Sequence, residues 1–248
     1  MISLLRAEFL KLRSTRTSLG LGIAVLLVSL VPTILLIAFL PTHLLDGGEL
    51  GAGATLVTYI VLVFGILGMT NEYRHGTITY TYLATPRRAR VMVAKLVVYG
   101  VTGALAMLAA LLVAQLVGVV GLPVRGVSYQ VPDGGALADY ARQLVTAGLI
   151  TAFGVALGAL FRAQVVTVAG TLIWALMVEP LIVVFKPHIG IYLPFAAFQQ
   201  LTMGGALHVG QDGGLPSLTR PEALLVAIAY IAVFSVAAVF ISMRRDVT

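Results

Sequence analysis

The stretch "AKLVVYGVTGALAMLAALLVAQLVGVVGL", Ala94–Leu122, decides the fold. After Lys95 it holds no charged residue, and its one side-chain amide is Gln115. A transmembrane helix needs about 20 mostly apolar residues, and this run exceeds that. Five more apolar runs surround it: Leu19–Leu40, Ala54–Met69, Leu137–Leu160, Val165–Phe185 and Ala223–Met243. The second is the shortest, and its start can be drawn back toward Gly51. The expected fold is all-α, a single transmembrane domain over residues 1–248 with six membrane-spanning helices.

Composition agrees. The chain is 59% hydrophobic and 10% charged, with a mean hydropathy of +1.02. Soluble domains average about 25% charged residues, so lipid is the expected solvent. Cysteine is absent, which excludes disulfides, thiolate metal sites and a catalytic thiol. The net charge of +6 raises the question of nucleic acid. The basic residues gather at the ends of the apolar runs, however, where they form a rim toward phospholipid, so no nucleic-acid partner is expected.

Lysine and arginine also set the orientation. With the N-terminus inside, the inner segments hold 12 of the 16 basic residues, among them Arg6, Lys11, Arg13, Arg16, Arg74, Arg87, Arg88, Arg90, Lys95 and Arg162. The outer segments hold 4: Arg125, Arg142, Lys186 and Arg220. Both termini are therefore expected in the cytoplasm, in a multi-pass protein of the plasma (inner) membrane. The first apolar run is too long for a signal peptide and no small-residue cleavage site follows it, so it is expected to be retained.

The leader, residues 1–17, places Ile2, Leu5, Phe9 and Leu12 on one helical stripe, with Arg6, Lys11 and Arg13 off it. It reads as an amphipathic helix on the inner leaflet, or as a basic leader that only fixes topology. Residues 186–221 form the longest outer connection. Its first part, "KPHIGIYLPFAAFQQL", is broken by Pro187 and Pro194 and is too short to span, so it reads as a re-entrant or interfacial segment. A Gly-rich loop follows, and Pro221 and Glu222 open the last helix with Thr219 as its candidate cap. Gly154 and Gly158 form a GxxxG pair suited to close helix packing. Pro32 and Pro180 should kink their helices.

Several chemistries lack their residues. No GxxxxGK[ST] loop is present to cradle a nucleotide phosphate. His43, His75, His188 and His208 lack metal-ligand spacing, and neither HExxH nor GxSxG occurs. Inside the spans, Gln115 reads as a helix–helix hydrogen bond. Glu179 falls roughly 21 Å into the fifth span at about 1.5 Å per residue, just before Pro180. Three readings are open for it: an ion pair with Arg142 or Lys186, a cap on backbone freed by Pro180, or an outward gate or cargo contact.

One polar island interrupts the apolar pattern: "NEYRHGTITYTYLATPRRARVMVAK", Asn71–Lys95. "TITYTY" alternates as a strand does, although its neighbours are helical. Thr85 is placed to be an N-cap with Pro86 at N1, starting a helix that carries Arg87, Arg88 and Arg90 and continues into the third span. On charge alone the island is an ordinary positive-inside loop.

The order of its residues resembles the cytoplasmic loop of type-2 ABC exporter permeases, the membrane subunits of ATP-binding-cassette exporters. The matching residues are Glu72, Gly76–Thr77, the run Ile78–Leu83, Ala84–Thr85–Pro86, Arg87–Arg88 and Lys95. In the leader, Glu8 and Lys11 match the family's Glu-x-x-Lys. Six spans and a broken segment before the last extend the resemblance over nearly the whole chain. The coupling segment departs from the family in being rich in Thr and Tyr rather than Leu and Glu. The resemblance implies a dimer with a second copy or a similar permease, and separate ABC ATPase subunits docking from the cytoplasm. Residues 71–92 would be the coupling loop, with Glu72, Arg74, Gly76, Thr77, Thr85, Pro86, Arg87 and Arg88 in contact with the motor. ATP and magnesium would be held by the ATPase, and this chain would have no catalytic residues and no cofactor. The rival classes are an ion-coupled secondary carrier, which should show more intramembrane charge or matched broken helices, and a scaffold or sensor subunit that transports nothing. Apolar span walls favour an amphipathic or lipophilic cargo: a drug, an antibiotic peptide or a lipid.

Overall fold

In hydrocarbon every backbone N–H must find its partner within its own segment, which leaves the helix as the structure for each apolar run. The structure, a computed structural model, describes residues 1–42, 52–85, 87–203 and 217–244. In chain order the helices are α1 (Ile2–Ser14), α2 (Arg16–Phe39), α3 (Ala52–Arg74), α4 (Thr77–Ala84), α5 (Arg88–Val124) and α6 (Gly134–Phe161). Then come α7 (Gln164–Ile173), a π-helical turn (Trp174–Val178), α8 (Glu179–Phe185), α9 (Pro187–Gly190), α10 (Pro194–Met203) and α11 (Arg220–Arg244). No strand occurs among the described residues. Among the described residues six helical stretches are long and apolar enough to cross a membrane: α2, α3, α5, α6, the unit from α7 to α8, and α11. The chain is a multi-pass membrane protein.

The boundaries move most around the polar island. The second span does not stop at Met69: α3 continues to Arg74 and carries Asn71, Glu72 and Tyr73 with it. The third begins at Arg88 rather than Ala94. Arginine and lysine are good helix formers, so a helix can leave the apolar run without breaking. "TITYTY" is helix α4, not a strand, and Ile78 packs it onto Met69 and Met92. Gly76, at φ 67°, makes the left-handed turn between α3 and α4, a conformation glycine adopts without a Cβ clash. Thr85 does not cap α5. Its N–H bonds Thr81 O and closes α4, while Arg87 occupies the position before α5. Pro86 lies outside the described residues, as do His43 and the rest of 43–51, the Gly-rich stretch from 204 to 216 and Arg245.

Helix α6 is the axis of the bundle. From Ile150 to Ala159 every residue is buried, so this stretch faces protein on all sides. α3 and α5 pack on it from two directions, α11 from a third, and α2 fills the angle between α3 and α5. The contacts need small residues. A methyl on Gly65 of α3 would strike the Thr151 carbonyl, and one on Gly154 would strike that of Leu62. Gly103 meets Thr151 and Ala147 in the same way from α5. The GxxxG pair therefore lies in the α3–α6 crossing, where small residues let backbones approach. Around the outside, Ile23, Leu35, Val101, Leu112, Leu181 and Val236 are exposed, as suits a surface solvated by lipid.

Asp133 caps α6 by accepting the Ala136 N–H at 2.8 Å, and Glu222 reaches back to the Thr219 N–H at 2.8 Å to open α11. α2 runs helically through Pro32. The fifth span accommodates Pro180 differently. Proline cannot donate to the carbonyl four residues earlier. The helix loosens into a π turn, in which the Glu179 N–H reaches Trp174 O, five residues back. The segment between the fifth and sixth spans folds as α9 and α10, and α10 packs on α6 and α11 through Phe195, Phe198 and Leu201.

Candidate functional site

The apolar stripe of α1 is only partly what the spacing predicts. Leu12 is buried and Leu5 half-buried, but Phe9 is 56% exposed, and Glu8 takes its place on the inward face. A carboxylate turned into an apolar bundle needs a counter-charge. It finds one in Lys95, about two turns inside α5, whose side chain is fully buried. Lys95 Nζ lies 2.8 Å from Glu8 Oε2 and 2.6 Å from Glu72 Oε1 at the end of α3. Lys11, one turn after Glu8 on α1, closes the figure: its Nζ is 3.0 Å from Glu8 Oε1 and 3.0 Å from Glu72 Oε1.

The result is a four-membered ring of alternating charge. Each lysine binds both glutamates, and the net charge is zero. It joins three helices that are far apart in sequence: α1, the end of α3 and the start of α5. Burial raises the Glu8 carboxyl, but the Lys95 ammonium and the hydrogen bonds from both lysines outweigh that and hold it below its ordinary value of 4.5. Burial likewise pulls Lys11 down, and Glu72 and Glu8 outweigh it, leaving Lys11 above 10.5. Tyr99 lies over the ring on α5, with its centroid 5.9 Å from Lys95 Nζ and its hydroxyl bonded to Gly68 O at 3.4 Å. Beside the ring opens a groove of about 350 Å³ walled by Asn71, His75, Thr77 and Ser18.

The ring sits directly under α4. Gly76 turns the chain straight from α3 into α4, and Thr77 Oγ1 approaches Glu72 O at 3.5 Å. Tyr80 and Leu83 of α4 project outward at 74% exposure each, a helix with a buried foot and a free outer face. Arg74 donates to Gln164 Oε1 at 3.1 Å, and the Arg162 guanidinium stacks on Tyr73 at 5.2 Å, so the turn between α6 and α7 is tied to the same end. Arg87 and Arg88 mark the start of α5 but are not members of the ring.

Of the residues singled out from sequence, Glu8, Lys11 and Glu72 converge. Lys95, at the start of the apolar run Ala94–Leu122, is the buried centre. Its signal was a lysine inside an apolar run, at a point where two acids in polar segments had no obvious partner.

The two intramembrane candidates lie elsewhere. Gln115 joins α5 to the next helix, donating to Tyr140 Oη at 2.6 Å and accepting from Tyr129 Oη at 2.7 Å. Glu179 does not pair with Arg142, which binds Asp139 instead, nor does it form an ion pair with Lys186. It is buried, accepts the Trp174 indole N–H at 2.9 Å on one oxygen, and accepts the Ala196 backbone N–H on the other. Ala196 is in the first turn of α10, so Glu179 caps that helix from a different part of the chain, where the unpaired N–H groups and the helix dipole favour a carboxylate. Among the described residues no cluster of three metal-ligating side chains occurs.

A scan against protein-family models found no match, and a search of curated proteins found none either.

Proposed function

We propose that this chain is the membrane-spanning permease subunit of an ATP-driven ABC exporter, working with separate ATPase subunits that dock at the cytoplasmic end. The observation that carries the reading is the charge ring under α4. A transmitted push needs a stiff joint, and this one fastens the leader helix, the end of α3 and the start of α5 to one point beneath an outward-facing short helix. Force applied to α4 would then move two spans and the leader together. The order of Glu72, Gly76–Thr77 and Arg87–Arg88 resembles the coupling loop of type-2 ABC exporter permeases, and the positive-inside bias supports a cytoplasmic position for it. A second copy or a similar permease would complete the path, and α9–α10 would form a re-entrant element on the outer side. Apolar span walls favour an amphipathic or lipophilic cargo.

The test is biochemical. Co-expression with an ATPase encoded alongside it should yield a complex that survives purification, and cargo-stimulated ATP hydrolysis after reconstitution. Glu72→Ala and the pair Arg87→Glu with Arg88→Glu should insert normally, yet weaken association or stimulation several-fold. Full association and full stimulation in both variants would count against the coupling role.

A further inference from the structure

α1 does not lie flat on the bundle along its whole width. On one flank, between α1, α2, α3 and α5, runs an apolar groove of about 290 Å³. Phe9 and Leu12 line it from α1, Val25 from α2, Val61 and Phe64 from α3, and Ala106 from α5. From Ser18 to Val25 it follows α2 for roughly 10 Å, at about 1.5 Å per residue. Gly22 forms part of its wall, and a Cβ there would meet nothing within 4 Å, so the space is open rather than filled.

The polar atoms of the groove lie unevenly. Thr102 spends its hydroxyl on Val98 O at 2.8 Å, and Ser18 shares a hydrogen bond with Thr15 at 2.8 Å. Arg13, at the leader end, has no acid within ion-pair distance among the described residues, because Glu8 is turned inward to the ring. An arginine with free donors at the mouth of a narrow apolar groove is complementary to an amphiphile with an anionic head. In a membrane protein the abundant molecule of that chemistry is an anionic phospholipid.

We propose that this groove is a binding site for an anionic phospholipid of the leaflet that meets α1, with an acyl chain along α2 and the phosphate on Arg13. The lipid would wedge between the leader helix and the bundle, about two turns along α1 from Arg6, which does not line the groove. The proposal needs only a membrane-embedded chain and does not depend on the export reading.

The test is native mass spectrometry of the purified, delipidated protein titrated with phosphatidylglycerol or phosphatidylcholine. Wild type should retain one phosphatidylglycerol in preference to phosphatidylcholine. Arg13→Gln should weaken it about fivefold, the size expected for one interfacial basic side chain. Gly22→Leu should abolish retention without changing any charge, by filling the groove. Gly20→Leu is the matched comparison: Gly20 is also open, but lies about 200° around α2, and this variant should bind as wild type does. Arg6→Gln, about two turns away on α1 and outside the groove lining, should also bind normally. Normal binding by Gly22→Leu, or an equal loss in Arg6→Gln and Arg13→Gln, would overturn the site in favour of a general basic rim. Equal retention of phosphatidylcholine, or competition by glycerol phosphate at matched concentration, would overturn it too. Arg13 is exposed, so its variant requires no repacking and keeps the test decisive if Gly22→Leu folds poorly.

Discussion

Lys95 Nζ lies 2.6 Å from Glu72 Oε1, and these two residues bracket all of the polar island but Asn71. The bond is thus a clasp at the base of that segment: α4 and both its connections hang from the closed point. A buried ion pair is weak evidence for stability as such, because desolvation offsets much of the attraction. Its consequence is felt when one partner is removed.

Lys95→Met leaves Glu8 and Glu72 as carboxylates without their shared buried cation. Removing one partner of a buried pair costs about 3–5 kcal/mol, and thermal unfolding in detergent should fall accordingly. Lys11→Met should cost about 1 kcal/mol or less, since Lys11 is 44% exposed and screened by water. Adding Glu8→Gln and Glu72→Gln to Lys95→Met should recover much of the lost stability. Equal losses from Lys95→Met and Lys11→Met would contradict the geometry of the ring.

The ring should also set the limits of stability with pH. Glu8 is held below 4.5, so its contribution is present above 4.5 and is lost as pH falls through the lower folded value. Lys11 is held above 10.5, so its contribution is present below 10.5 and is lost as pH rises through the higher folded value. Unfolding temperature measured against pH should show a plateau between these limits. Glu8→Gln should flatten the acid limb, and an unchanged acid limb in that variant would remove Glu8 from the account.

The close helix crossings make a sharper claim about side-chain volume. Gly154→Val places methyls where the Leu62 carbonyl already lies, so the α3–α6 contact must open. Size-exclusion profiles should show loss of the monodisperse species for Gly154→Val and Gly65→Val. Gly20→Val, facing open space, should behave as wild type.

Trp174 is the only tryptophan in the chain, and its indole donates to Glu179. Its fluorescence therefore reports on the α10 cap. Glu179→Gln keeps one acceptor oxygen, enough for one of the two N–H donors, and should be intermediate between wild type and Glu179→Leu. Glu179→Leu removes both acceptors, shifts the emission and frees α10 to be cut by protease. Wild-type emission and wild-type proteolysis in both variants would show that Glu179 does not hold α10.

Orientation is open to a clean test because the chain has no cysteine. A cysteine at Thr77 should react with an impermeant maleimide only from the cytoplasmic side, and one at Val131, which is 81% exposed, only from outside. The opposite pattern would reverse the bundle and remove α4 from the cytoplasm.

The spans were legible in the sequence because their signal is one-dimensional: a run such as Ala94–Leu122 is apolar whatever it packs against. Helix ends were not, since Glu72 and Arg88 look like loop residues until the helix is seen to carry them out of the apolar run. Glu8, Lys11 and Glu72 were noticed as separate polar residues. Their convergence on Lys95 was hidden, because side chains 23 and 87 positions apart leave no mark of proximity in a single sequence. Glu179 stood out as an intramembrane acid, but its partner is a backbone N–H, which no residue type announces.

The π turn before Glu179 has a consequence for how the fifth span tolerates change. Such a turn carries one residue more than an α-helical turn, and one residue corresponds to about 100° of rotation. Everything after Val178 is thus rotated relative to an uninterrupted helix, and that rotation brings the carboxylate to Ala196. Elsewhere in the bundle the danger is bulk, as at Gly154. Here it is length: deleting any one residue from Ala175 to Val178 would turn Glu179 by about 100° and swing it away from α10, with no side chain in the contact altered.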